Sequence, residues 1–208
     1  MKTLIKSICV FYFLGSFFTL YAQINSETSD YISTPDYNQK INSNTIRNVD
    51  TIPDFFNSQN KLKITGVIYE SDGITPAKDA VLHIYHADEN GDYKISEEIK
   101  YNDVYHNATI RTNSDGRYTF YTFIPGSAYE SITFPPRRGA KKIFAVVRDQ
   151  DNFEYELNAF VFEDDPLLSK SCRRRIQKRG TNNILDLKLS NESIYVAQKN
   201  ITLLPTNQ

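Results

Sequence analysis

The 208-residue sequence has no tryptophan, one methionine, two cysteines and three histidines. Each scarcity removes a class of structure. Cys9 lies in an amino-terminal apolar run, so an exported chain keeps only Cys172, which excludes a disulfide-stapled fold. Stability must come from packing, and 40% hydrophobic with 13% aromatic residues supplies the material. The last histidine is His106, so no imidazole ligand or base comes from the second half of the chain. That lack also argues against a nucleophilic Cys172, which is read as a small buried apolar side chain. A net charge of −1 offers no long-range attraction for nucleic acid. Eight Gly and eight Pro are enough for turns and too few for low complexity.

What is present begins with a leader. Lys2 and Lys6 precede an apolar run over 8–20, too short to span a bilayer comfortably, and Ala22 is a small residue at a cleavage position. Residues 1–22 are therefore expected to be a signal peptide, with a secreted or periplasmic product and no stable membrane insertion. Residues 23–59 are polar and aperiodic. They are expected to form a linker or an arm that wraps the domain through Tyr31, Tyr37, Phe55 and Phe56.

The domain proper, 60–206, alternates apolar and polar residues over short runs that stop at Ser71-Asp72-Gly73, Glu89-Asn90-Gly91, Ser114-Asp115-Gly116 and Pro125-Gly126. This pattern predicts an all-β fold, an antiparallel β-sandwich, with strands over 61–70, 80–87, 110–112, 116–123, 142–148 and 154–162. The expected inward set is Val67, Leu82, Ile84, Tyr118, Phe120, Phe144, Val146 and Phe160 or Phe162. Closing strands are expected over 185–189 and 194–204. Between them and the sandwich, Leu167, Leu168, Cys172 and Ile176 are spaced for one helical face. A short carboxyl-terminal helix is expected over 166–179, begun by Pro166 and stopped by Gly180. Its basic residues fall on the other face, as a solvated surface or an anion-binding patch.

The runs GVIYESDGITPAKDAVLHIYHADENGDY, RTNSDGRYTFYTFIPGSAY and VFEDDPLL together resemble the intradiol ring-cleavage dioxygenases, the superfamily of protocatechuate 3,4-dioxygenase-like enzymes. The resemblance covers about half of the chain and implies a prealbumin-like sandwich. It also implies a ferric ion held by two tyrosinates and two histidines, on which a catecholate is oxidised by dioxygen. The tyrosines fall on Tyr93 and Tyr129, and an arginine that lies against the substrate falls on Arg138.

The resemblance fails at the histidines, whose positions carry Lys141 and Ile143. A lysine ammonium repels a cation and isoleucine has no lone pair. His83 and His86, three apart on one strand, point to opposite faces, and His86 with His106 is the weaker alternative source of imidazoles. The expectation is a sandwich without catechol dioxygenase activity and without a cofactor, Fe3+ returning only if the site survives in altered form. Arg137, Arg138, Lys141 and Lys142 make the old cleft basic, so a small anionic or aromatic ligand is expected there. An active oxygenase with a rearranged iron site is one alternative; a transthyretin-like or carboxypeptidase-regulatory-like binding module is another. Unpaired outer strands would permit a homo-oligomer.

Overall fold

The structure is a computed structural model and describes residues 46–94, 104–130, 134–178 and 183–205. The signal-peptide expectation over 1–22 and the arm through Tyr31 and Tyr37 lie outside the described residues.

The chain builds two packed sheets. The first is ordered β1 (Val49–Thr51), β5 (Arg117–Phe123), β2 (Lys61–Tyr69), β13 (Tyr195–Gln198) and β12 (Lys188–Leu189), and β14 (Ile201–Thr202) also pairs with β2. The second is ordered β11 (Ile184–Leu185), β10 (Phe160–Phe162), β8 (Lys142–Arg148), β3 (Val81–Tyr85) and β4 (Asn107–Arg111), with β9 (Glu154–Glu156) also on β8. A small hairpin joins β6 (Tyr129–Glu130) to β7 (Arg137–Arg138). The long ladders β2–β5, β3–β4 and β3–β8 are antiparallel. Sequence-distant partners add parallel edges: β1 on β5, β13 and β14 on β2, and β11 on β10.

Inward alternation builds the core. Leu62, Ile64 and Ile68 of β2 meet Tyr118 and Phe120 of β5 across Leu82, Ile84, Ile143, Ala145, Val147, Phe160 and Phe162, all buried. Three expected core residues sit on the other face of their strands. Val67 is half-buried and donates its N–H to Asn200 Oδ1 (3.1 Å), because Leu62, Ile64 and Ile68 already take the inward positions. Phe144 and Val146 yield in the same way to Ile143, Ala145 and Val147, although Val146 is still covered.

One close approach locks the first sheet. A Cβ on Gly66 would lie 1.8 Å from the Lys199 carbonyl oxygen, which accepts the Tyr118 hydroxyl proton at 2.6 Å. The missing side chain lets β13 and β14 pass β2 with Lys199 N–H on Thr65 O (2.8 Å). Burial raises the Tyr118 phenol pKa well above its ordinary value.

Several expected boundaries move. Val49–Thr51 is a strand, so the aperiodic arm ends earlier than residue 59; Phe55 is buried and Phe56 is 78% exposed. The run 154–162 is interrupted at 157–159, where Leu157 N–H still reaches Ala145 O. The helix α1, Lys170–Lys178, begins at 170 rather than 166, and the expected stop at Gly180 lies outside the described residues. Pro166 lies inside a separate turn made by Asp165, whose Oδ1 accepts Leu167 N–H (2.8 Å). The helix is capped instead by Ser169 Oγ, which accepts Cys172 N–H (3.2 Å).

Candidate functional site

Two loops at one end of the sandwich carry the matched tyrosines. The first follows β3 and turns on Asp88, which is 8% exposed. Its Oδ1 accepts the N–H groups of Asn90 (2.8 Å) and Asp92 (3.0 Å), and its carbonyl accepts those of Gly91 (3.0 Å) and Gly126 (2.8 Å). Burial pushes this carboxyl up, but hydrogen bonds from Asp92 and Asn90, aided by Lys94, outweigh it and hold the pKa below the ordinary value. The Gly126 bond ties the second loop to the first. At Gly91 (φ 91°) a Cβ would stand 2.2 Å from Ser127 O, so the two loops touch backbone to backbone.

Arg138 fastens them. Its Nη1 donates to Asn90 O (2.8 Å) and Ser127 O (2.5 Å), and its guanidinium lies 4.6 Å from the Tyr129 ring centroid. The guanidinium expected against a substrate is thus engaged with two loop carbonyls and a ring. Tyr93 and Tyr129 are thereby brought to one open cavity of about 270 Å³, together with Glu130, Lys142 and Phe144. Lys142 Nζ pairs with Glu130 Oε1 at 3.3 Å, and Phe144 stacks on Tyr85 at 5.1 Å. Burial pushes the Tyr93 phenol up, favouring its neutral form.

Lys141 and Ile143, the positions matched to the family histidines, do not line the tyrosine cavity. Ile143 is fully buried in the core, and Lys141 is the residue whose N–H meets Asp165 Oδ2 (2.6 Å). The β8 side chains that share the cavity with the tyrosines are Lys142 and Phe144, because period-2 alternation puts 142 and 144 opposite Ile143 and Ala145.

The histidines lie elsewhere. His83 meets Thr109 Oγ1 (2.8 Å) on the outer face of the second sheet. His86 faces inward with no exposure, Nδ1 on Ala87 O (2.6 Å) and Nε2 on Thr122 Oγ1 (2.7 Å). His106 lines a separate cavity of about 220 Å³ beside Asp54, whose Oδ2 is 3.2 Å from its Nε2. Its Nδ1 is buried without a partner. Asp54 holds a positive φ of 64°, a signal that no sequence pattern carries. Neither His86 nor His106 lines the tyrosine cavity, and among the described residues no group of His, Cys, Asp or Glu is placed to hold a metal ion.

No protein-family model and no curated protein matches the chain. Solved structures do. A wild-type catechol 1,2-dioxygenase from Acinetobacter radioresistens superposes with a TM-score of 0.59 at 13% identity, covering 77% of this chain and 58% of that one. A 3-chlorocatechol 1,2-dioxygenase from Rhodococcus opacus 1CP gives 0.58 at 16% identity, covering 77% and 67%. The dioxygenase domain of a dioxygenase carbohydrate-binding protein fusion from Streptomyces sp. SirexAA-E gives 0.51 at 14% identity, covering 70% and 80%. The chain thus spans little more than half the length of that catechol 1,2-dioxygenase. At these identities the likeness is one of architecture, and the architecture is the intradiol dioxygenase sandwich.

Proposed function

We propose that this protein is an exported binding protein that uses an intradiol-dioxygenase scaffold to hold a small aromatic anion rather than to open a catechol ring. The observation that carries the reading is the pairing of Lys142 and Phe144 with Tyr93 and Tyr129 around one cavity. A ferric ion bound by two tyrosinates needs further lone pairs. Phe144 has none, and the Lys142 ammonium is a positive charge committed to Glu130. The phenol of Tyr93 is held towards its neutral form, and both ring nitrogens of His86 are engaged in the core. These residues do not fit the ferric ion that the sequence resemblance implies.

They suit a one-ring ligand instead. A cavity near 270 Å³ is at the small end of organic-ligand sites. Tyr93, Tyr129 and Phe144 offer rings for stacking and edge contacts. Lys142 offers the cation for a carboxylate or phenolate, which would compete with Glu130 for the ammonium.

Two measurements test this. Iron loading followed by metal analysis and a visible spectrum should give a colourless, iron-free protein. Stoichiometric iron with a tyrosinate charge-transfer band, lost in Tyr93→Phe or Tyr129→Phe, would refute it. Calorimetric titration with benzoate and 4-hydroxybenzoate should show binding that Lys142→Met weakens roughly tenfold or more, the worth of one charge-assisted hydrogen bond. Export is checked by amino-terminal sequencing of the mature protein, expected to begin near Gln23.

A further inference from the structure

The basic helix lies apart from this cavity's lining and has a distribution of charge that the fold does not account for. Residues 170–178, KSCRRRIQK, hold five basic side chains and no acidic one, in a chain whose 24 basic and 25 acidic residues nearly balance overall. Lys170, Arg174 and Lys178 recur every fourth residue and so form one stripe, its charges about 6 Å apart along the axis. Arg175 lies beside the stripe, and all four are exposed. Cys172 and Ile176, also four apart, take the opposite, half-buried side.

Within the helix these charges repel. Lys170 and Arg174, Arg174 and Lys178, and Arg175 and Lys178 are like-charged neighbours at the spacings where side chains meet. Lys170 also stands at the amino-terminal end, where the helix dipole disfavours a cation. Among the described residues only Arg173 finds compensation, from the carboxylate and the carbonyl of Glu163. Arg175 reaches no carboxylate, only Cys172 Sγ at 3.7 Å. Among the described residues, nothing neutralises Lys170, Arg174 or Lys178.

We propose that this stripe binds a linear anionic polysaccharide. A row of unpaired cations complements a chain of regularly repeated carboxylates or sulfates, and a bound polyanion relieves the repulsion that the free helix sustains. The geometry disfavours a membrane, because the apolar side of the helix is turned towards the protein and leaves no wedge for a lipid surface. It disfavours single-stranded nucleic acid, because the stripe carries no aromatic side chain for a base to stack on; duplex DNA, which needs only phosphate contacts, is separated by the test. The export signal read in the sequence would place the protein where acidic polysaccharides are the available polyanions.

The test measures binding of the purified protein to heparin and to polygalacturonate across a series of salt concentrations, with duplex DNA and phosphatidylserine vesicles in parallel. Binding to one or both polysaccharides that weakens steeply with salt is expected. Lys170→Ala/Arg174→Ala/Arg175→Ala/Lys178→Ala should lower the affinity at least tenfold and flatten the log–log salt slope by about three to four. Arg174→Lys/Arg175→Lys, which keeps the charge, should bind nearly as wild type. The quadruple variant should melt at the same temperature or higher, since repulsion is removed. Tighter binding to DNA or to the vesicles than to either polysaccharide would overturn the assignment. So would equal retention of the quadruple variant, or a fall in its melting temperature, which would show that these side chains have structural partners.

Discussion

Acidification should destabilise this protein markedly through one buried residue, His86. The Ala87 carbonyl can only accept, so His86 Nδ1 carries the proton and Nε2 accepts from the Thr122 hydroxyl. The neutral ring is fully satisfied, and the charged ring would sit in the core against Phe123. Burial, reinforced by nearby His106, lowers its pKa from 6.5 to about 4. For a base, a depressed folded-state pKa means that the unfolded chain binds the proton first. The stability is therefore full above pH 6.5 and is lost as the pH falls towards 4. From the linkage relation the loss is about 2 kcal/mol at pH 5 and about 3 kcal/mol by pH 4, a large part of a typical domain's stability. Urea unfolding between pH 7.5 and 4.5 measures it, followed by far-ultraviolet circular dichroism because the chain has no tryptophan. Carboxylates add their own slope, so the informative quantity is the difference from His86→Gln, which should lose this component. An NMR titration of the ring reads the same pKa directly, whatever the variant's stability. Parallel pH profiles for the two proteins, or a His86 midpoint near 6.5, would refute the reasoning.

Two structural substitutions follow from other contacts. Gly66→Ala forces a Cβ into the Lys199 carbonyl, which must move and loosen the Tyr118 bond; a loss of about 3 kcal/mol in urea unfolding is expected. Arg138→Ala removes the donor shared by Asn90 and Ser127; amide hydrogen exchange should rise in both loops, with only about 1 kcal/mol lost globally. Unchanged exchange there would mean that the glycine contacts alone hold the loops.

The local sequence was sufficient for much of this. Alternation bounded by Ser-Asp-Gly and Pro-Gly turns is a property of neighbouring residues, so β2, β3, β5 and β8 were legible to within a few positions. The absence of histidine after His106 was equally plain; that His86 and His106 stay out of the tyrosine cavity was not. Three things were decided only by the tertiary structure. Which face of an alternating strand turns inward depends on the sheet opposite, and a step of one residue exchanges the faces; that is why Lys142 and Phe144, not Lys141 and Ile143, stand beside the tyrosines. Parallel edges such as β1 on β5 and β13 on β2 join segments far apart in sequence, where no local pattern selects the partner. The Arg138 clip joins carbonyls from two loops, and a backbone carbonyl is common to every residue, so its involvement leaves no mark in the sequence.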